Sequence, residues 1–232
     1  MANTKRISRK DLLNEPDEFI TMTGKVVRWC RENEKQLYTA GVIGCLVIVI
    51  LAGWSFFANR AENKASSLFS STQAKYATLL NQSDAKEAAL ATAQEFKNLA
   101  QEYPRTDAGR LANAMAGQTA FDSGDYDGAI EWWEKALKAL STDPLEKSRV
   151  LLGLGYAYEQ KADYDNAEKT FTQVLDMKMG LGKEDASLAL ARIYETTGDA
   201  QKSIQAYEKF VADFPDSAYA QLAKEKLAAS AD

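Results

Sequence analysis

Histidine is missing from all 232 residues, which removes the commonest general base and the commonest metal ligand at once. Cysteine is nearly missing. The two present, Cys30 and Cys45, fall early in the chain, so everything after residue 58 folds without a disulfide. A surplus of base is missing too: the net charge is −5, and the part beyond residue 58 is acidic, which argues against nucleic acid as a partner. There is no nucleophile elbow, phosphate loop, metal-spaced cysteine set or histidine pair. The Gly-x-Gly of Leu152-Gly153-Leu154-Gly155-Tyr156 falls inside a helical pattern. Asp125, Asp127, Asp163 and Asp165 supply only half of a calcium loop, and read instead as turn and helix-start residues. The expectation is a protein that is not an enzyme, with no cofactor, metal or small-molecule substrate.

Charge is also missing from one stretch, Leu37 to Ala58, which runs for 22 residues. A helix of that length is about 33 Å long, enough for a hydrocarbon layer of about 30 Å. Leu46 to Leu51 is apolar all round, unlike the one-sided stripe of a soluble helix. Tyr38 at one end and Trp54, Phe56 and Phe57 at the other suit the two interfaces. A cleavable signal peptide has a shorter apolar part and a shorter basic leader than the 36 residues found here. Eight lysines and arginines precede the run; within twenty residues of it the count is four before and three after. The positive-inside rule then puts the N-terminus in the cytoplasm and the larger part outside.

The segments expected are a cytoplasmic tail over residues 1–36, a transmembrane helix over 37–58, a helical stalk leading into the first repeat over 59–84, and a repeat domain with a C-terminal capping helix over 85–232. In the tail, Asn14-Glu15-Pro16-Asp17 reads as a helix start. A helix from about Asp17 to Glu34 puts Phe19, Met22, Val26 and Trp29 on one stripe, either for the membrane surface or for a partner's cytoplasmic face. A helix over Ala85 to Glu102 follows, closed by Tyr103-Pro104.

From there the chain repeats. Gly124-Asp125-Tyr126-Asp127-Gly128-Ala129 returns as Ala162-Asp163-Tyr164-Asp165-Asn166-Ala167, and more weakly as Gly198-Asp199-Ala200-Gln201-Lys202-Ser203. Four residues after each copy stands an aromatic, then an aliphatic: Trp133 and Leu137, Phe171 and Leu175, Tyr207 and Val211. Tyr103-Pro104 and Phe214-Pro215 echo at three times the same period.

These residues resemble the tetratricopeptide repeat, whose helix-turn-helix units stack into a solenoid. The resemblance rests on Ala116, Gly117, Ala129, Trp133 and Ala136 in the first copy, Leu154, Gly155, Tyr158, Ala167 and Phe171 in the second, and Leu190, Ala191, Tyr194, Ser203, Tyr207 and Pro215 in the third. The period, 36 to 38, exceeds the family's usual 34. Gly155 and Ala167 are expected to be small because two helices cross there, with the aromatics between neighbouring hairpins. The all-α fold implied is one transmembrane helix followed by a helical-hairpin solenoid. Its concave wall, from the first helix of each hairpin, would present Leu111, Gln118 and Phe121, then Arg149, Leu152, Tyr156 and Glu159, then Leu188, Arg192 and Glu195 to a peptide.

The layout as a whole is similar to that of the YfgM-type ancillary subunits of the bacterial Sec translocon. That resemblance implies a single-pass protein of the bacterial inner membrane, its repeats in the periplasm, passing emerging chains to periplasmic chaperones. The partners expected are therefore the translocon, chaperones or client polypeptides, and the membrane. Phe214-Pro215-Asp216-Ser217-Ala218-Tyr219-Ala220 also looks like repeats of periplasmic proteins that coordinate envelope assembly or cell division, which is the alternative.

Overall fold

A computed structural model describes residues 18–139, 143–179 and 181–230. The helix-start signature at Asn14-Glu15-Pro16-Asp17 lies outside the described residues, as does the side chain of Phe19. Among the described residues there are ten helices and no strand. The chain divides into two compact units, Met1–Phe57 and Ala58–Asp232.

The first unit holds α1 (Glu18–Glu32) and the start of α2 (Glu34–Gln82). Regular helix is interrupted at Asn33, so α1 stops short of the Glu34 expected from the sequence. The Trp29 carbonyl accepts both the Asn33 side chain (2.9 Å) and the Asn33 amide (3.0 Å) there. From Leu46 to Leu51 every side chain is exposed, between 48 and 67%. An 18-residue window in α2 has the length and composition to cross a membrane, and none of it is buried.

The second unit is a row of antiparallel hairpins. The far part of α2 pairs with α3 (Ala85–Glu102), α4 (Asp107–Ser123) with α5 (Tyr126–Ala139), α6 (Pro144–Gln160) with α7 (Tyr164–Asp176), and α8 (Lys183–Thr197) with α9 (Ala200–Asp213). The short α10 (Ala220–Ala229) packs on α9. Ser217 is held in the turn before it, where its hydroxyl bonds Glu184 and accepts from the Tyr219 amide.

The starts and stops follow from local chemistry. Thr106, Asp143, Asp163 and Asp199 cap their helices by accepting a first-turn amide, and Asp125 does the same for Gly128 (3.0 Å). Asp125 and Asp163 are thus turn and helix-start residues, as expected, and Asp127 and Asp165 lie in the first turns of the helices they start. The residue before each repeated aspartate is left-handed: Gly124 and Gly198 at φ 87° and 79°, and Ala162 at φ 58° in the second copy. Only glycine takes that conformation without cost.

The core runs along the second helices in register. Thr92, Ala129, Ala167 and Ser203 are buried, each followed four residues on by a buried ring: Phe96, Trp133, Phe171 and Tyr207. Three residues beyond stand Leu99, Ala136, Val174 and Phe210, all buried. The aliphatics marked in the sequence, Leu137, Leu175 and Val211, lie one position further round and are only half-buried, because a helical turn of 3.6 residues brings the third residue inward as well as the fourth. A Cβ on Gly117 would come within 2.5 Å of the Trp133 ring, and one on Gly155 within 2.6 Å of the Phe171 ring. Each ring therefore seats on a small residue of its own hairpin. Trp133 also reaches the next hairpin, where a Cβ on Gly153 would come within 2.6 Å of it.

Candidate functional site

A groove of about 550 Å³ in the second unit is walled by α2, α4 and α6 and floored by Trp133 of α5. Its lining follows the repeat period. Gln73, Leu111 and Arg149 occupy one row, and Leu80 and Gln118 another, each step being 38 residues. Phe69, Met115 and Val150 make the lining apolar, and Gln73, Gln118, Glu146 and Arg149 put polar groups on it. Arg149 is 65% exposed, and among the described residues its ion-pair partner is Glu146, at 3.5 Å. A long, weakly paired cation beside an apolar trough is suited to an amphipathic polypeptide segment.

The walls are fixed by polar bonds between helices. The Tyr76 hydroxyl of α2 donates to Asp122 of α4, and Gln118 donates to both oxygens of the same carboxylate (2.9 and 3.0 Å). Burial and that carboxylate together push the Tyr76 phenol well above its usual range. Glu62 of α2 accepts from the Asp107 amide (2.8 Å) at the start of α4, where a helix end favours negative charge.

Of the ten residues the sequence assigned to a concave wall, Leu111, Gln118 and Arg149 line this groove. Phe121 does not: its ring stacks against Tyr126 and Trp133, 5.4 and 5.7 Å away, as part of the core. Leu152 is taken up by Gly182, Tyr156 packs edge-on against Phe171 at 5.2 Å, and Leu188 joins the terminal core. Burial, with Asp185 nearby, pushes the Tyr156 hydroxyl up to about 12. Arg192 clasps Glu159 with two bonds of 2.7 Å. Its guanidinium is held above its ordinary value mainly by that bond. Glu195 pairs with Lys226 of α10 (2.6 Å) and accepts from Tyr207 (2.9 Å), which lowers its pKa, Lys226 first among the causes. The inner face beyond α6 is thus largely engaged with itself.

The residues marked as defining the repeat fall in the core or beside it. Gly117, Ala129, Trp133, Gly155, Ala167, Phe171 and Tyr207 are buried. Tyr158 and Tyr194 are half-buried, donating to Glu134 (3.2 Å) and Glu168 (2.7 Å), and Pro215 is exposed. What the sequence reading missed is the α2 wall: Phe69, Gln73, Tyr76 and Leu80. The signal was present, since stepping back 38 residues from Leu111, Ala114 and Gln118 lands on Gln73, Tyr76 and Leu80. Among the described residues no group of three or more His, Cys, Asp or Glu is placed to hold a metal ion.

Comparison with known proteins agrees with this geometry. The sequence profile of the tetratricopeptide repeat-like domain matches residues 27–179, and that of the tetratricopeptide repeat matches residues 152–218. No curated protein sequence matches the chain. Among solved structures, the MamA protein superposes with a TM-score of 0.52 at 18% identity, over 65% of this chain and 75% of its own. The nearly identical repeats of a putative kinesin light chain from Podospora anserina superpose with a TM-score of 0.55 at 13% identity, over 73% of this chain and 85% of theirs. At such identities the likeness is one of fold.

Proposed function

Because this chain belongs to the tetratricopeptide repeat-like domain family, we propose that its role as a protein-binding scaffold is exercised from a membrane. In this reading residues 37–58 span the bacterial inner membrane, residues 1–36 lie in the cytoplasm and the repeats lie in the periplasm. The scaffold then stands beside the Sec translocon as an ancillary subunit, receives emerging chains in the α2–α4–α6 groove and passes them to periplasmic chaperones. The carrying observation is the make-up of α2, which contributes a lipid-length apolar run with no buried residue to one unit and Phe69, Gln73, Tyr76 and Leu80 to the groove of the other.

Carbonate extraction and protease accessibility of intact and opened cells test the anchor and its direction. Photo-crosslinkers placed at Gln118 and Arg149 in cells test the groove; capture of translocation or folding factors is expected, and Leu111→Glu should abolish it. Capture of outer-membrane assembly or constriction proteins instead would move the assignment to the envelope-coordinator class. Capture of neither would leave only the scaffold.

A further inference from the structure

α1 carries an apolar face that none of the described residues covers. Met22, Val26 and Trp29 are 71, 59 and 57% exposed, and spacings of four and three put them on one side of the helix. Lys25 begins beside that stripe, and Arg28 and Arg31 step away from it around the helix. All three are exposed, and none forms an ion pair among the described residues. One turn residue, Asn33, lies between this helix and α2, which carries the apolar run that starts at Leu37.

We propose that α1 is an interfacial helix that lays Met22, Val26 and Trp29 into the headgroup boundary of an anionic leaflet, with Lys25, Arg28 and Arg31 among its acidic headgroups. An amphipathic helix with an aromatic on its apolar side and a basic polar side is what such a surface holds. The charge pattern favours lipid over a second copy of the helix. Paired helices draw on opposite charges along both flanks of the stripe, whereas here Lys25 and Glu32 share one flank and Thr23 and Cys30 leave the other uncharged. The inference rests on residues 37–58 being a span, which already brings α1 to the surface.

The test uses the full chain with Cys45→Ala, an environment-sensitive fluorophore on Cys30, and phosphatidylcholine vesicles with and without phosphatidylglycerol. Lipids spin-labelled near the headgroup should quench the fluorophore several times more strongly in the anionic vesicles. Each basic residue near an anionic surface is worth about fivefold in occupancy, so combined Lys25→Gln, Arg28→Gln and Arg31→Gln should remove the difference. A fluorophore equally open to aqueous iodide in both vesicle types overturns the proposal. So does Cys30-to-Cys30 crosslinking between unlabelled copies that is independent of lipid, in favour of a second copy. Protein that leaves the vesicles in carbonate defeats the span reading and the proposal with it, whereas retained protein with a water-exposed label defeats the proposal alone.

Discussion

The two halves of the solenoid's inner face use equivalent positions to opposite ends. At one repeat position Gln118 lines an open groove, whereas its counterparts are Tyr156, packed on Phe171, and Arg192, locked to Glu159. At another, Leu111 and Arg149 line the groove, and their counterpart Asp185 stands beside Tyr156. The lesson is that period assigns a face, but the partners across the face decide whether it is available. A binding surface survives where successive helices offer unlike side chains with nothing to clasp. It closes where they offer a guanidinium and a carboxylate one repeat apart.

The largest effect should come from removing a ring of the closed half. Phe171 is fully buried, so Phe171→Ala is expected to cost about 3–5 kcal/mol in denaturant unfolding, while crosslinking from Gln118 persists below the transition. Loss of that crosslink would mean the halves do not differ in independence. Ala167→Leu overpacks the same hairpin and should lower stability by about 1–3 kcal/mol; an unchanged melt would contradict the seating of these helices.

Alkali should act next. Tyr156, Tyr194 and Tyr207 have hydroxyls pushed up to about 12, chiefly by burial. Each stays protonated when folded and ionises near 10 when unfolded. Their contribution is therefore full below pH 10 and lost as pH rises towards 12, a fall that Tyr194→Phe should flatten in pH-dependent melts. Arg192→Ala removes an ion pair whose cation is half-exposed and should cost about 1 kcal/mol or less, shrinking with added salt. The same change should let a crosslinker at Tyr156 capture the partners seen from Gln118, if the clasp is what closes that half. The smallest effect is a gain: Ala162→Gly relieves a left-handed alanine, worth about 1–2 kcal/mol, against about 0.4–1 kcal/mol for the looser unfolded chain, and should raise the melting temperature by a few degrees at about 2–4 °C per kcal/mol.

Much of the fold could be read from the chain because its markers are local. The turn Gly124-Asp125 and its two copies need a left-handed residue followed by a cap; both demands show in the letters at Gly124 and Gly198, and the cap alone at Asp163. The rings four residues on are equally visible. The site was harder. Whether Arg192 is available depends on Glu159, 33 residues away, and no spacing rule states that two charged ends will meet. The α2 wall was overlooked for another reason: Gln73, Tyr76 and Leu80 sit in a helix whose other sides carry Ser, Lys and Thr, and a mostly polar helix reads as a spacer.

Two glycines in the middle of α6 are a poor choice for a helix taken alone, at about 1 kcal/mol each relative to alanine. Gly153 admits Trp133 from the preceding pair, and Gly155 admits Phe171 from its own. α6 is thereby a keyed joint with a slot cut on either flank, and anyone who would lengthen, shorten or swap modules of this array should splice elsewhere, since a module lacking either slot cannot be inserted there.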